Sequence, residues 1–243
     1  MVINFGLKMI IMIFMGLLMG ASRADIVPHN TPVFYDNDTL LAPNVHGEMT
    51  LYTIVDPTWE LNIPGAPDGE KIKVTGTADK VVQYINMHFP DYVWPHVHDL
   101  NTTSPEKAVQ DNPEPNCKVF GLAPYPMANL CKEVLDQIST HYYNLGSGPG
   151  TCAQVQCRTD LQGRNAAIWW CNDIFTSPDT KDSRLTKQGL TGASALASDI
   201  AELAGNIIDN CIEFDTPMSW TRGQLFHETE PWNVIVNGAE KCR

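Results

Sequence analysis

All seven cysteines of this 243-residue chain, Cys117, Cys131, Cys152, Cys157, Cys171, Cys211 and Cys242, lie from residue 117 onwards, and none lies in the first 116 residues. Thiols can pair with one another, bind a metal or act as nucleophiles. Cys152 and Cys157 are separated by four residues, a spacer that a zinc site uses. No second cysteine pair or histidine pair accompanies them at metal-ligand spacing, because His141 and His227 are the only histidines of residues 116–243. A covalent framework is therefore expected, with all seven cysteines as disulfide candidates. Seven is odd, so three bridges leave one thiol, and the spacing leaves the pairing open. Cys131 lies within one predicted helix and Cys211 ends another, so each is expected to tie its helix to a strand or loop.

Other chemistry is sparse. His96-Val97-His98-Asp99 would place two imidazoles on one face of an extended segment, but no third ligand lies nearby, and the stretch reads as a solvated loop. Gly146-Ser147-Gly148-Pro149-Gly150 lacks the Lys and Ser/Thr of a phosphate loop. There is no nucleophile elbow and no H-E-x-x-H helix. His141, Asp160 and Ser194 form a triad only on paper, and Glu228 and Glu230 read as solvated turn residues. The expectation is a non-enzymatic protein without metal or cofactor.

Recognition is better represented. Arg158 and Arg164 flank the loop between Cys157 and the run Ala166-Ala167-Ile168-Trp169-Trp170-Cys171, on a chain of net charge −12. Guanidinium groups pair bidentately with carboxylates, and an exposed indole adds apolar contact. Alternation along the run sends Trp169 and Trp170 to opposite faces of a sheet. Arg158, Arg164 and Trp169 form the expected partner-binding patch, with Arg222 as a further candidate. As surface charges, the arginines are expected to contribute little to stability.

Elements must position these residues. Met49 to Val55 and Lys71 to Thr75 read as strands, and Val81, Val82, Ile85 and Phe89 recur at helical spacing before Pro90. Residues 25–44 and 57–69 read as irregular or loop. The stretch from Asn101 to Pro115 holds three prolines and three acids and reads as a linker. Beyond it, helices are expected near 128–143 and 194–210, and strands near 165–171, 219–226 and 233–237. That order predicts an α+β fold at 116–243, a disulfide-stapled sandwich of two helices on an antiparallel sheet. Residues 25–115 would form a separate, acidic, cysteine-free segment or pro-region.

The amino terminus sets the compartment. Lys8, the apolar run Met9 to Met19 and the small residues around Ser22-Arg23-Ala24 read as a secretory signal over 1–24, too short to span a bilayer. Export permits disulfides. An acidic surface disfavours nucleic acid and attachment to anionic lipid, and no stable membrane insertion is expected. Asn37-Asp38-Thr39 and Asn101-Thr102-Thr103 are sequons, which makes Asn37 and Asn101 candidate glycan sites of an extracellular glycoprotein.

Across 116–243 the order of motifs resembles the fungal killer toxin family founded by the virus-encoded toxin of a smut fungus. The resemblance is carried by Thr221-Arg222-Gly223-Gln224-Leu225 before a hydrophobic strand and a terminal cysteine, and by a helix ending Ile207-Ile208-Asp209-Asn210-Cys211. It implies a stapled α/β sandwich without enzymatic activity. It also implies growth inhibition through a membrane protein of the target cell, a calcium channel. The lysine associated with activity in that family has no counterpart here; the matching position is about Trp169. Gly150-Thr151-Cys152 and Asn172-Asp173-Ile174 also echo the fungal necrosis-inducing secreted effector domain. A necrosis-inducing effector, or a secreted fungal hydrolase, is the alternative reading.

Overall fold

The computed structural model describes residues 33–35 (backbone only), 38–63, 71–94, 114–144, 150–173, 194–215, 217–238 and 241–243. Strand formation dominates. A seven-stranded sheet runs in the order β1 (Val33–Tyr35), β2 (Thr39–Pro43), β3 (Met49–Ile54), β8 (Thr151–Thr159), β9 (Asn165–Asn172), β14 (Trp232–Asn237), β13 (Gly223–Phe226). A four-stranded sheet joins β10 (Ser194–Leu196), β7 (Tyr142–Asn144), β4 (Thr58–Leu61) and β5 (Ile72–Thr75). A third sheet of three strands joins β11 (Ile212–Asp215), β12 (Met218–Thr221) and β6 (Ala123–Pro124). The described helices are α1 (Ala78–His88), α2 (Tyr125–Gln137) and α3 (Ala197–Asn210).

The expected sandwich of two helices on one antiparallel sheet is therefore wrong. The chain is mostly β, and the main sheet contains a parallel pair, with Thr53 beside Thr151 and Ile54 beside Cys152. The expected boundary near 115 is no structural division either. Strands from both sides of it share two of the three sheets, and Pro32 to Arg243 form one compact unit. The physical reason lies in the two apolar faces of the central strands. Ala153, Val155, Ile168, Trp170, Val234 and Val236 pack towards the helices, while Cys152, Ala167, Trp169, Cys171 and Ile235 pack towards Leu40, Tyr52 and Phe120. A sheet apolar on both sides needs cover on both, and the front residues supply the second cover.

Several elements follow the sequence pattern. α1 buries Ala78, Val81 and Ile85, and α3 buries Ile200, Ala204, Ile207 and Ile208 at helical spacing. The unexpected β4 alternates, burying Trp59 and Leu61, and its short apolar content between prolines hid it. β8 was also missed, because a bulge between Gln154 and Gln156 breaks its alternation.

Three disulfides staple the back part: Cys117–Cys211, Cys152–Cys171 and Cys157–Cys242. Cys131 is the remaining thiol. It is fully buried under α2, points at the Ala166 carbonyl and ties its helix to nothing covalently, contrary to expectation. Burial pushes its thiol pKa well up, which keeps it protonated and unreactive. Cys211 does anchor its helix, to Cys117. Gly223 is required beside that bridge, because an added Cβ would sit 3.0 Å from the Asn116 carbonyl oxygen and 3.2 Å from the Cys211 sulfur.

Candidate functional site

β8 and β9 are joined by a tight turn held by Asp160. One carboxylate oxygen accepts the backbone N–H groups of Gln162 (2.9 Å) and Arg164 (2.8 Å), and the other accepts Arg164 Nε at 2.6 Å. Gly163 takes a left-handed φ of 79°, which its lack of a Cβ allows. Burial opposes ionisation of Asp160, but the hydrogen bonds from Arg164 and Gln162 outweigh it and hold its pKa below the usual value. The turn is thus rigid, and it projects Leu161 fully into solvent.

Facing this turn is the start of α2, entered through Pro124 and Pro126. Between them lies an open groove of about 650 Å³. Its apolar walls are Met127, Leu130, Leu161 and Met218, and its polar residues include Arg158 and Arg164. Arg158 pairs with Asp79 at the start of α1 (2.7 Å), and Gln156 Nε2 donates to the same carboxylate at 2.6 Å. Arg164 also donates to Gln162 Oε1 at 3.0 Å and lies over the Trp220 ring at 5.4 Å. Its two neighbouring cations are held in fixed positions by acids, so the groove presents oriented guanidinium groups beside exposed leucine. Such a surface suits an extended partner segment with apolar side chains and polar or acidic flanks.

The structure brings together Arg158 and Arg164 but not the other two expected contact residues. Trp169 does face away from Trp170, as alternation requires, yet it is only 2% exposed. The second face of the sheet is covered, so Trp169 is a core residue. Arg222 donates to Glu213 at 2.9 Å and to the Phe120 carbonyl at 3.0 Å, holding Phe120 at a positive φ of 83°. That role is structural, and it accounts for the Thr221-Arg222-Gly223-Gln224-Leu225 motif as a packing junction: Leu225 is buried and Asn116 bridges Gln224. Asn37, Asn101, His96, His98 and Asp99 lie outside the described residues. Of the groove residues, Leu161 and Met218 carry no motif that marks them in the sequence. Leu161, a leucine inside the polar turn Asp160 to Gly163, was the signal available.

The triad on paper is not assembled. His141 is buried, its Nδ1 accepts the Asn62 backbone N–H at 3.1 Å, and burial lowers its pKa to about 4. Asp160 is committed to its turn, and Ser194 is exposed at the start of β10. Glu230 accepts Trp232 Nε1 at 2.6 Å, as a turn residue. Among the described residues, no group of three His, Cys, Asp or Glu side chains could hold a metal ion.

A second polar cluster lies inside the curl of the main sheet. Tyr52 donates its hydroxyl to Asp173, Asn233 Nδ2 donates to the other carboxylate oxygen at 2.8 Å, and Gln224 Nε2 donates to Asn233 Oδ1 at 3.0 Å. Gln224 also donates to the Pro43 carbonyl at 2.8 Å. Burial raises the Asp173 pKa to about 6, against the lowering effect of the two hydrogen bonds. Asp173 is 3% exposed with both oxygens engaged, so the cluster ties β2 and β3 to β13 and β14.

No family model, curated protein or solved structure matches the chain. The three intramolecular bridges fit an extracellular protein. Among the described residues, no helix is long and apolar enough to cross a membrane.

Proposed function

We propose that this chain is a secreted, non-enzymatic, toxin- or effector-like protein that docks on a membrane protein of another cell through the groove between α2 and the β8–β9 turn. The observation that carries the reading is the groove itself. A turn pre-organised by Asp160 lifts Leu161 into solvent next to two oriented arginines, on an otherwise acidic chain. Pre-organisation reduces the ordering cost of binding, arginine is enriched among the residues that carry binding energy, and the exposed leucine adds apolar area beside it. The resemblance to killer toxins supplies the further reading, growth inhibition through a calcium channel. The groove supports docking independently of it, since the two-helix sandwich implied by the family is not this fold.

The test is to apply the purified mature protein to fungal and plant cells and follow growth and calcium influx. Inhibition with altered influx is expected, and Leu161→Asp should abolish it while the protein stays folded. Inhibition unchanged by Leu161→Asp would sink the groove as the docking site.

A further inference from the structure

β8 has nine residues, but β3 pairs only with its first two positions, Thr151 and Cys152. Among the described residues, the edge from Gln154 onwards therefore has no strand neighbour on that side. Two different devices cover it. On the helix side, Asp79 receives Gln156 and Arg158. On the other side lies the carboxy-terminal stretch Lys241 to Arg243.

The bulge decides which side chains face that stretch. Gln154 is opposite Trp169, whereas Gln156 is opposite Ile168 and Cys157 is opposite Ala167. The extra residue, Val155, resets the alternation, so Gln154 and Cys157 both face the side of Trp169. Without the bulge Cys157 would point towards the helices and could not reach Cys242. The stretch is then held at three points. Gln154 Nε2 donates to the Lys241 carbonyl at 3.2 Å, and Gln154 Oε1 accepts the Arg243 N–H at 2.8 Å. Cys242 is bridged to Cys157, and the Arg243 guanidinium lies 5.9 Å from the Trp169 ring centre.

The three bridges differ in access. Cys152 and Cys171 are both fully buried, and Cys211 is buried beside a partly covered Cys117. Cys242 is exposed. Thiolate attack requires an approachable sulfur, so reduction begins where one is exposed.

We propose that the Cys157–Cys242 bridge is a reducible latch that holds residues 241–243 over Trp169 and the open edge of β8. The reductant is a dithiol of the class that keeps cytosolic thiols reduced. Its first thiolate attacks the Cys242 sulfur, the S–S bond breaks, and Cys157 leaves as a thiolate that takes up a proton. Its second thiol then resolves the mixed disulfide: the dithiol is oxidised to a disulfide and Cys242 is released as a thiol, two electrons in all. With the covalent tie gone, the stretch is held by non-covalent contacts alone, among them the two hydrogen bonds from Gln154 and the Arg243 contact with the Trp169 ring. It opens, and Gln154 and the part of the Trp169 ring beneath Arg243 become accessible. The latch does not depend on the docking groove.

The experiment exposes the folded protein to graded dithiothreitol, alkylates the released thiols and locates them by peptide mass spectrometry. Acrylamide quenching of tryptophan emission is followed in parallel, with Trp169→Phe as the reference. Cys157 and Cys242 should be alkylated roughly tenfold or more faster than the other four paired cysteines. Quenching should rise at the same dithiothreitol concentration in the parent and not in Trp169→Phe. Gln154→Ala, which keeps the bridge, should accelerate alkylation of this pair alone, and Cys242→Ser should show the raised quenching without reductant. Simultaneous opening of all three bridges, earlier opening of Cys117–Cys211, or alkylation of Cys157 and Cys242 with unchanged quenching would each overturn the latch.

Discussion

The two faces of the strands β8, β9 and β14 are built on different principles. The helix face, with Val155, Ile168, Trp170, Val234 and Val236 against α2 and α3, is a predominantly apolar core. The inner face of the curl mixes apolar Leu40, Trp169 and Ile235 with two disulfides and the Tyr52–Asp173–Asn233–Gln224 cluster. Apolar packing is non-directional and tolerates sliding, whereas hydrogen bonds and bridges fix one arrangement. The helix face supplies the larger share of stability, and the curled face fixes how the front strands register on the back ones.

Removing a large ring from the helix face should cost most. Trp170→Ala empties space between Tyr143 and Trp232, whose rings lie 4.7 and 5.8 Å away, and should cost about 3–5 kcal/mol in urea unfolding. The loss should be similar at pH 4 and pH 7. A loss under about 1 kcal/mol would mean that the helix face is not the main core.

The comparison sharpens with pH, because each region holds a buried group whose titration falls between pH 4 and 6.5, and the two act in opposite directions. Asp173 in the folded chain has a pKa of about 6, above its ordinary 3.8, so the fold favours its protonated form. Its contribution to stability is largest below pH 3.8 and is lost as pH rises through 6. His141, on the helix side, has a folded pKa of about 4, below its ordinary 6.5, so the fold favours its neutral form. Its contribution is full above pH 6.5 and is lost as pH falls through 4. Each shift corresponds to roughly 3 kcal/mol, and between pH 6.5 and 4 they largely offset one another. Asp173→Asn should therefore leave a protein that loses roughly 3 kcal/mol more than the parent on acidification across that window. Equal pH profiles for parent and variant in urea titrations would show that Asp173 is not held protonated by the curl.

A smaller effect separates the two groove arginines. Arg164 joins Asp160, Gln162 and Trp220, so Arg164→Ala should cost about 1–2 kcal/mol, contrary to the expectation of a free surface charge. Arg158→Ala breaks one half-exposed ion pair and should cost under about 1 kcal/mol. Thermal melts of the two variants should differ in that order. Leu161→Asp, on an exposed turn, should change stability by less than about 0.5 kcal/mol while removing docking.

Much of this was legible in the chain. Periodic apolar residues marked α1 and α3, alternation assigned Trp169 and Trp170 to opposite faces, and seven cysteines in an exported chain implied three bridges with one thiol left over. The proximity of Arg158 and Arg164 was visible as well, because a hairpin loop keeps neighbours in sequence close in space. These are local properties, set by the period of a helix or strand and by the identity of nearby residues.

What the chain alone could not determine was which residues distant in sequence meet. Trp169 reads as a contact residue until Leu40 and Tyr52, more than a hundred positions earlier, cover it. Cys131 reads as one more disulfide partner until α2 buries it against Ala166 with no thiol in reach. The bulge at Val155, which turns Cys157 towards Cys242, depends on register with β9. Pairing, cover and register are settled by burial of both faces of one sheet. That burial is a sum over non-local contacts which no window of sequence contains.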